Sequence, residues 1–286
     1  MTMARIIDGK LVSQAVKDGV KEQVSLLNSK GVSVTLAVII VGDDPASRIY
    51  VNNKKKACEA TGIVSREYAL PADTSLEELL ALIEKLNNDS EVNGILCQLP
   101  LPEGLDEKAV IAAISPEKDV DAFNAVNTGH IMIGDYTFLP CTPAGITEML
   151  DYYDIPVRSK HCVVIGRSNI VGKPMAMLLL KRDGTVTICH SKTENLADIT
   201  RQADILVAAV GRAKFVTADM VKEGAVVIDV GMNRDADGKL CGDVDFEAVE
   251  KKASFITPVP GGVGPMTIAT LMKNTVIAAK LQNGMF

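Results

Sequence analysis

The chain has 286 residues and a net charge of −6, with 47% hydrophobic and 23% charged residues. This composition is typical of a globular protein, it excludes a disordered chain, and the length is sufficient for two domains. Nucleic-acid binding needs clustered positive charge, and the only dense basic run, residues 54–56, is too short to provide it.

The cysteines and histidines give no pattern typical of a metal site. None of the six cysteines lies in a C-x-x-C pair, and several lie in apolar runs, which predicts buried thiols in a reducing compartment. The three histidines show no H-x-x-x-H spacing, so we expect no zinc site. There is no signal-peptide pattern and no apolar run of roughly 18 residues. We therefore expect a cytoplasmic protein without membrane or nucleic-acid partners.

Helical and strand-like patterns alternate through the first hundred residues. A helix carries apolar positions from Leu11 to Leu27, and Thr74 with Glu77 forms a candidate capping box. The apolar run at 35–42 is typical of a strand buried on both faces. The other elements predicted here are a helix at 46–61, a strand at 67–70, a helix at 76–86 and a strand at 94–100.

The pattern changes after residue 115, where a loop-like stretch precedes a predicted hairpin at 129–140 around Gly134-Asp135. We place the domain boundary here. A linking helix at 144–153 leads into a second alternating series. Its elements are strands at 162–166, 185–190, 204–211, 225–231 and 253–258, and helices within 171–182, near 194–201 and at 266–282. The sequence therefore predicts an α/β protein with two α/β domains, the second a Rossmann-type parallel sheet.

A glycine turn between strand and helix at 162–180 indicates dinucleotide binding. Gly166 allows a pyrophosphate to approach the backbone, and the following helix offers free N–H groups. The spacing from Gly166 to Gly172 is G-x-x-x-x-x-G rather than G-x-G-x-x-G, so an ordinary strand-to-helix turn stays open as an alternative.

The end of the second strand of this series favours NADP over NAD. Residues 189–192 lack the carboxylate that binds the ribose hydroxyls of NAD. Ser191 offers a hydrogen-bond donor and Arg167 a positive charge for a 2′-phosphate. The alternative for Arg167 is a solvated surface charge.

Four polar residues of the first domain form a candidate reaction site. Tyr50 and Lys54 are four residues apart on one helix face, and a partly buried lysine with a lowered pKa suits acid–base chemistry. Gln98 follows a strand, and Asp121 offers two acceptors to an aminopyrimidine edge. Taken singly, each also fits an ordinary surface or loop role.

Segment 258–267, PVPGGVGPMT, combines three glycines and three prolines before the last helix. Such a loop allows a flat ligand to approach the backbone closely, and Pro265 suits the first helical turn. The alternative is an ordinary turn.

Together these segments resemble the bifunctional methylenetetrahydrofolate dehydrogenase/methenyltetrahydrofolate cyclohydrolase family over nearly the whole chain. The order and spacing of the segments also fit this family. The segments that carry the resemblance are 41–57, 94–102, 116–124, 140–145, 163–180, 226–234, 242–246 and 257–267.

The resemblance implies two reactions in one shared cleft between the domains. 5,10-Methylenetetrahydrofolate is oxidised with NADP to the 5,10-methenyl compound, which is then hydrolysed to 10-formyltetrahydrofolate. This one-carbon chemistry serves purine biosynthesis. The last helix of the family packs on the first domain, which implies a folate-binding domain at 1–121 plus 266–286, a boundary at 122–139 and an NADP domain at 140–265. A homodimer formed through the cofactor domain is also implied.

The resemblance also implies roles for individual residues. Lys54 would be the catalytic lysine of the hydrolysis, assisted by Gln98. Tyr50 would stack on the aminobenzoyl part of the folate, and Asp121 would hold the pterin edge. The remaining implied contacts are Gly261 and Gly262 to folate, and Gly166, Arg167, Ser168, Ser191 and Met232 to NADP.

Two positions depart from the family pattern. Ala122 replaces a usual glycine, which puts the conformation of that loop in question, and Ala213 replaces a common proline. Lys54, which NAD-dependent members without hydrolase activity lack, is present, so both activities are expected.

Two other functions were weighed. A short-chain dehydrogenase also uses a Tyr-x-x-x-Lys pair, but its glycine turn precedes that helix, whereas here it follows. A non-catalytic NADP-binding regulator would leave Tyr50, Lys54, Gln98 and Asp121 without a role.

Overall fold

The computed structural model describes residues 3–285, so residues 1, 2 and 286, which the predicted domain limits include, lie outside the described part. Helices and strands alternate along most of the described chain, as predicted. The helices are α1 (Gly9–Ser29), α2 (Pro45–Thr61), α3 (Leu76–Asn88), α4 (Glu107–Ala113), α5 (Ala125–Ile133), α6 (Cys141–Tyr152), α7 (Gly172–Lys181), α8 (Leu196–Thr200), α9 (Phe246–Val249) and α10 (Val263–Gln282), with a 3-10 turn at Ala218–Met220. The strands are β1 (Arg5–Ile6), β2 (Thr35–Val41), β3 (Val64–Leu70), β4 (Gly94–Cys97), β5 (His161–Ile165), β6 (Thr185–Cys189), β7 (Ile205–Ala208), β8 (Val226–Asp229), β9 (Asn233–Arg234), β10 (Leu240–Cys241) and β11 (Phe255–Ile256).

The described chain divides into two compact units. The three-stranded unit comprises residues 14–141 and 268–285, and the six-stranded unit comprises residues 3–13 and 142–267. The boundaries fall within α1, after the first residue of α6 and within α10. The α/β fold class predicted from the sequence is confirmed.

The three-stranded unit is built around β2, which lies between β3 and β4 in a parallel sheet. All seven residues of β2 are buried. Because side chains alternate along a strand, Leu36, Val38 and Ile40 enter one apolar core while Ala37 and Ile39 enter another. The continuous apolar run at 35–42 therefore covers both faces of a central strand, as predicted.

Local capping fixes where the helices of this unit begin. Asp44 accepts from the Ser47 N–H at the start of α2, and α2 ends at Gly62 in a left-handed conformation. The predicted capping box at Thr74 and Glu77 is wrong by one residue. Ser75 and Glu78 form it instead.

The predicted hairpin at 129–140 is wrong, because residues 125–133 form α5. The Asn124 side chain accepts from the Val126 N–H and so caps the helix, and Gly134 ends it at φ 76°. The Gly134-Asp135 pair that indicated a hairpin turn is a helix C-terminus. In the structure this segment belongs to the three-stranded unit.

The six-stranded unit carries a parallel sheet in the order β1-β11-β8-β7-β5-β6. β6 and β7 lie on opposite sides of β5, so the strand order reverses there, as in a doubly wound fold. β1 pairs with β11, which places residues 3–13 in this unit and differs from the predicted limit of 1–121 for the first domain. None of the described helices combines the length and apolar composition that a membrane span requires.

Candidate active site

Lys54 is a buried lysine on an otherwise exposed basic run. Its residue is 8% exposed, whereas the neighbouring Lys55 and Lys56 are exposed. The helical repeat of α2 produces this difference, since Val51 and Cys58 on the same face enter the apolar core. Burial lowers the pKa of Lys54, and the nearby Asp121 opposes that shift. The side chain is therefore suited to exchange protons.

Gln98 is the hydrogen-bond partner of Lys54. The Lys54 Nζ donates to Gln98 Oε1 at 2.7 Å. Gln98 follows β4, and its backbone N–H donates to the Ile39 carbonyl at 2.8 Å, which extends the β2–β4 pairing by one residue. The Gln98 Nε2 donates to the Leu99 carbonyl at 2.6 Å and so fixes the amide orientation. The sheet thus aims the Gln98 oxygen at the lysine.

Asp121 lies on the loop between α4 and α5 and acts electrostatically on Lys54. Desolvation raises the pKa of Asp121, while Lys54 and a hydrogen bond from Cys141 lower it. The structure therefore brings three predicted residues, Lys54, Gln98 and Asp121, into one cluster.

Tyr50 lies one helical turn before Lys54 on α2 and is half-buried. Burial raises the pKa of its hydroxyl, so the phenol stays neutral over the physiological range. A neutral, half-buried aromatic ring beside the cluster provides a flat apolar surface for a ligand.

Two buried residues that the sequence analysis missed hold the Asp121 loop. The Asp119 carboxylate accepts from the Asn124 N–H at 2.7 Å and from Asn127 Nδ2 at 2.9 Å. Lys118 Nζ donates to the Leu86 carbonyl at 3.0 Å. Both side chains are almost wholly buried, which fits an internal scaffold role.

Asn274, on α10, is a further residue that sequence reasoning missed. Its Nδ2 donates to the Val120 carbonyl at 2.8 Å and to the Leu139 carbonyl at 2.9 Å. Asn274 thereby joins the last helix to the residue before Asp121 and to the segment before Cys141. An asparagine inside a largely apolar helix was the available signal, because a buried amide requires specific partners.

The backbone conformation at Ala122 explains why a glycine was expected at this position. Ala122 has φ 56° and is 1% exposed, so an L-residue occupies the left-handed region that favours glycine. The loop keeps its turn with alanine at this position, and the Ala122 methyl group packs in the apolar core.

The second predicted set lies in the six-stranded unit. At Gly166 the backbone has φ 136°, and an added Cβ would overlap the Ala209 carbonyl oxygen. An added Cβ on Gly172, the first residue of α7, would overlap the Gly166 carbonyl. Both glycines are therefore required by the tight turn from β5 to α7, and this turn fits a dinucleotide pyrophosphate at the helix N-terminus.

Three polar residues predicted to bind the cofactor are exposed around this turn. Arg167 directly follows Gly166, and Ser191 lies two residues beyond β6. The Ser168 Oγ accepts from the Val171 and Gly172 N–H groups at 3.1 and 3.2 Å. Ser168 therefore shapes the start of α7, a role that the sequence did not indicate.

Met232, Gly261 and Gly262 also lie in the six-stranded unit. Met232 follows β8 and is 47% exposed, and a Cβ on Gly264 would lie 3.6 Å from its sulfur. Gly261 has φ 105°, and a Cβ on Gly262 would lie 2.5 Å from the Pro258 carbonyl oxygen. The predicted folate-lining glycines are thus confined by backbone geometry, and they belong to a different unit from Lys54.

Comparison with known proteins shows the family. Residues 7–121 match the family model described as the catalytic domain of tetrahydrofolate dehydrogenase/cyclohydrolase, and residues 140–283 match its NAD(P)-binding domain. A relative from Agathobacter rectalis, named bifunctional protein FolD, is 60% identical over 278 residues, which cover 97% of this chain and 100% of the relative.

Solved structures give the same result. The bifunctional enzyme FolD, a methylenetetrahydrofolate dehydrogenase/cyclohydrolase from Campylobacter jejuni, is 51% identical with a TM-score of 0.96, covering 97% of this chain and 99% of that one. The Trypanosoma brucei methylenetetrahydrofolate dehydrogenase-cyclohydrolase, complexed with NADP and an inhibitor, is 40% identical with a TM-score of 0.94, covering 98% and 99%. The chain therefore belongs to the tetrahydrofolate dehydrogenase/cyclohydrolase family.

Proposed function

We propose that the protein oxidises 5,10-methylenetetrahydrofolate with NADP and hydrolyses the 5,10-methenyl product to 10-formyltetrahydrofolate. The full-length similarity to bifunctional relatives supports both activities. The observation that carries the hydrolysis is the 2.7 Å bond from buried Lys54 to Gln98, with Asp121 acting on the same lysine.

Lys54 would handle protons during hydrolysis. The oxygen of a water molecule bonds to the methenyl carbon, and Lys54 accepts a proton from it through Nζ. When the bond from that carbon to N5 breaks, N5 gains a proton and the formyl group stays on N10. One water proton is thus transferred to N5 and the other is released. A lowered Lys54 pKa makes the neutral amine available for this step, and Gln98 holds the amine in place.

Tyr50 and Asp121 would orient the folate. The half-buried Tyr50 ring offers a face on which the aminobenzoyl group stacks. The two Asp121 oxygens match the paired donors of the pterin edge. Gly261 and Gly262 allow the folate to approach the backbone in the six-stranded unit. We accordingly assign folate binding mainly to the three-stranded unit and cofactor binding to the six-stranded unit.

The turn from β5 to α7 would hold NADP. When bound, NADP supplies the hydride acceptor of the first reaction. Gly166 and Gly172 leave room for the pyrophosphate, and Ser168 shapes the helix start that faces it. Arg167 and Ser191 are exposed and carry the charge and hydroxyl that a 2′-phosphate needs, while Met232 would back the nicotinamide.

The proposal includes a cytoplasmic homodimer whose product enters purine biosynthesis. β6 is an edge strand of the six-stranded sheet, and Leu180 and Ile188 are 55% and 37% exposed nearby. An exposed edge with apolar side chains favours pairing with a second copy. All six cysteines are free thiols, which supports a reducing compartment. Sedimentation at two concentrations tests the dimer.

Replacing Lys54 with alanine tests the hydrolytic role. We expect Lys54→Ala to lower the rate of methenyltetrahydrofolate hydrolysis by about 10²-fold or more, because positioned proton transfer contributes about that much. Exposed Lys55, on the same helix, is the matched control, and Lys55→Ala should hydrolyse at the wild-type rate. Full hydrolysis by Lys54→Ala, measured as loss of the methenyl chromophore, would remove Lys54 from the mechanism.

A further inference from the structure

Two buried carboxyl groups lie in the six-stranded unit, apart from the residues proposed to contact NADP. Asp229 ends β8 and is 2% exposed, and Asp243 follows β10 and is fully buried. Burying a carboxylate is costly unless hydrogen bonds replace its water. The partners of these two groups therefore indicate what they are for.

The Asp243 carboxylate accepts hydrogen bonds from four groups, which belong to two separate segments. Its Oδ2 accepts from the backbone N–H groups of Val210 and Gly211 at 2.6 and 3.1 Å. Its Oδ1 accepts from the Arg212 N–H at 2.8 Å and from Asn233 Nδ2 at 2.9 Å. One side chain thus fixes three consecutive residues after β7 and the segment after β8.

Asp229 in turn fixes the backbone around Asp243. It accepts from the Asp243 and Val244 N–H groups at 2.8 and 3.0 Å, and from the Gly231 N–H at 2.9 Å. A Cβ on Gly231 would overlap the Asp243 carboxylate, and one on Gly242 would overlap the Asp229 carboxylate. Both positions therefore require glycine to leave space for the carboxyl groups. Asp229 fixes the backbone at Asp243, and the Asp243 side chain fixes the segments after β7 and β8.

The segment that Asp243 holds borders the glycine turn. Val210 directly follows Ala209, whose carbonyl oxygen occupies the space that a Cβ on Gly166 would need. β7 and β5 are neighbours at the point where the strand order reverses. Ligands of open α/β sheets bind in the crevice at that point, outside the carboxyl ends of the strands. The other segment held by Asp243 begins directly after Met232.

We propose that Asp243 and Asp229 are positioning residues that set the wall of the dinucleotide crevice. Asp243 holds Val210–Arg212 and Asn233 in place, and Asp229 holds Asp243. Neither carboxylate is assigned a contact with the cofactor. This inference rests on the proposed NADP site.

Asp243→Asn is the decisive variant, since it keeps the size of the side chain. An amide offers one acceptor oxygen and turns an NH₂ toward N–H donors, so the contacts at one of the two positions are lost. We expect the Kd for NADPH, from a fluorescence titration, to rise about tenfold or more, because bonds to a charged acceptor are among the stronger ones. Hydrogen exchange should accelerate at the amides of residues 210–212.

Asp204→Asn is the matched control. Asp204 precedes β7 at its opposite end and accepts from the His161 N–H at 2.9 Å and from Lys222 Nζ at 2.6 Å. We expect its Kd for NADPH to stay within twofold of wild type. The melting temperature reports whether each variant is folded, and hydrolysis of methenyltetrahydrofolate without cofactor reports whether the hydrolytic residues are still in place. The residues assigned to hydrolysis all lie in the three-stranded unit.

If Asp243→Asn does not fold, Asn233→Ala replaces it as the test, because Asn233→Ala removes only one hydrogen bond to Asp243. We then expect the NADP KM to rise severalfold with a melting temperature near that of wild type. A folded Asp243→Asn that binds NADPH as wild type does would overturn the inference, as would parallel losses in Asp243→Asn and Asp204→Asn. Wild-type protein that does not bind NADPH would instead overturn the proposed cofactor site.

Discussion

Replacing Asn274 with alanine would release the Asp121 loop from the last helix. The Asn274 residue is 3% exposed, and its amide donates to the Val120 and Leu139 carbonyls at 2.8 and 2.9 Å. Two such bonds contribute about 0.5 to 1.5 kcal/mol each, and leaving buried acceptors without a donor adds a further penalty. We expect Asn274→Ala to lower the free energy of unfolding by about 3 kcal/mol.

The assay is thermal unfolding followed by circular dichroism. A loss of about 3 kcal/mol corresponds to a fall of about 6 to 12 °C in the midpoint for a protein of this size class. Asn283→Ala is the control, because its exposed amide donates only to the Ala279 carbonyl, and we expect an effect of at most about 0.5 kcal/mol. Because Asp121 follows Val120, the KM for methenyltetrahydrofolate should also rise in Asn274→Ala. Equal midpoints for the two variants would refute this reasoning.

Two further predictions concern the six-stranded unit. Gly166→Ala should weaken NADPH binding more than tenfold in a fluorescence titration, because the new Cβ would overlap the Ala209 carbonyl. Gly19→Ala, a control at an open helical position of the three-stranded unit, should gain up to about 1 kcal/mol of stability. Burial raises the Asp229 pKa to about 7, and the nearby Asp243 contributes to this shift. Between pH 4 and 7 the folded state therefore binds more protons than the unfolded state. The free energy of unfolding consequently falls as the pH rises through that window. We therefore expect the free energy of unfolding of wild type, measured with urea, to fall by about 2 to 3 kcal/mol relative to that of Asp229→Asn between pH 5 and pH 7.5. Parallel pH profiles of the unfolding free energy for the two proteins would contradict this.

The sequence predicted those elements whose signals are local. The apolar run of β2 identified a central strand, and the helix predicted at 46–61 agrees with α2 at Pro45–Thr61. Four-residue spacing placed Tyr50 and Lys54 on one helix face, but the burial of Lys54 beside an exposed Lys55 depends on the packing of α2 against β2. Local patterns fix which residues share a face, and tertiary contacts decide how deeply each is buried.

The error at 129–140 arose because one signal has two meanings. A Gly-Asp pair indicates a hairpin turn, but a glycine with positive φ equally ends a helix. Asn124, ten residues before Gly134, was the deciding signal, because its side chain caps α5. A search for paired N-cap and C-cap residues finds this helix.

The remaining residues could not be predicted because their partners are distant in sequence. Asn274 bonds the Val120 carbonyl across 154 positions, and Asp243 binds the Val210 N–H across 33. β1 and β11 lie far apart in sequence and pair only in the folded chain. Nothing in the neighbouring sequence of these residues specifies such contacts, since they follow from strand order and helix packing.

The most direct test of the account supplies purified protein with 5,10-methylenetetrahydrofolate and either NADP or NAD, and records the reduced cofactor. The account predicts rapid NADPH formation and a much slower reaction with NAD, because we assign Arg167 and Ser191 to the 2′-phosphate and no carboxylate follows β6 within residues 189–192. Equal turnover with NAD would contradict the phosphate site, and no reduction of either cofactor would contradict the proposed dehydrogenase activity itself.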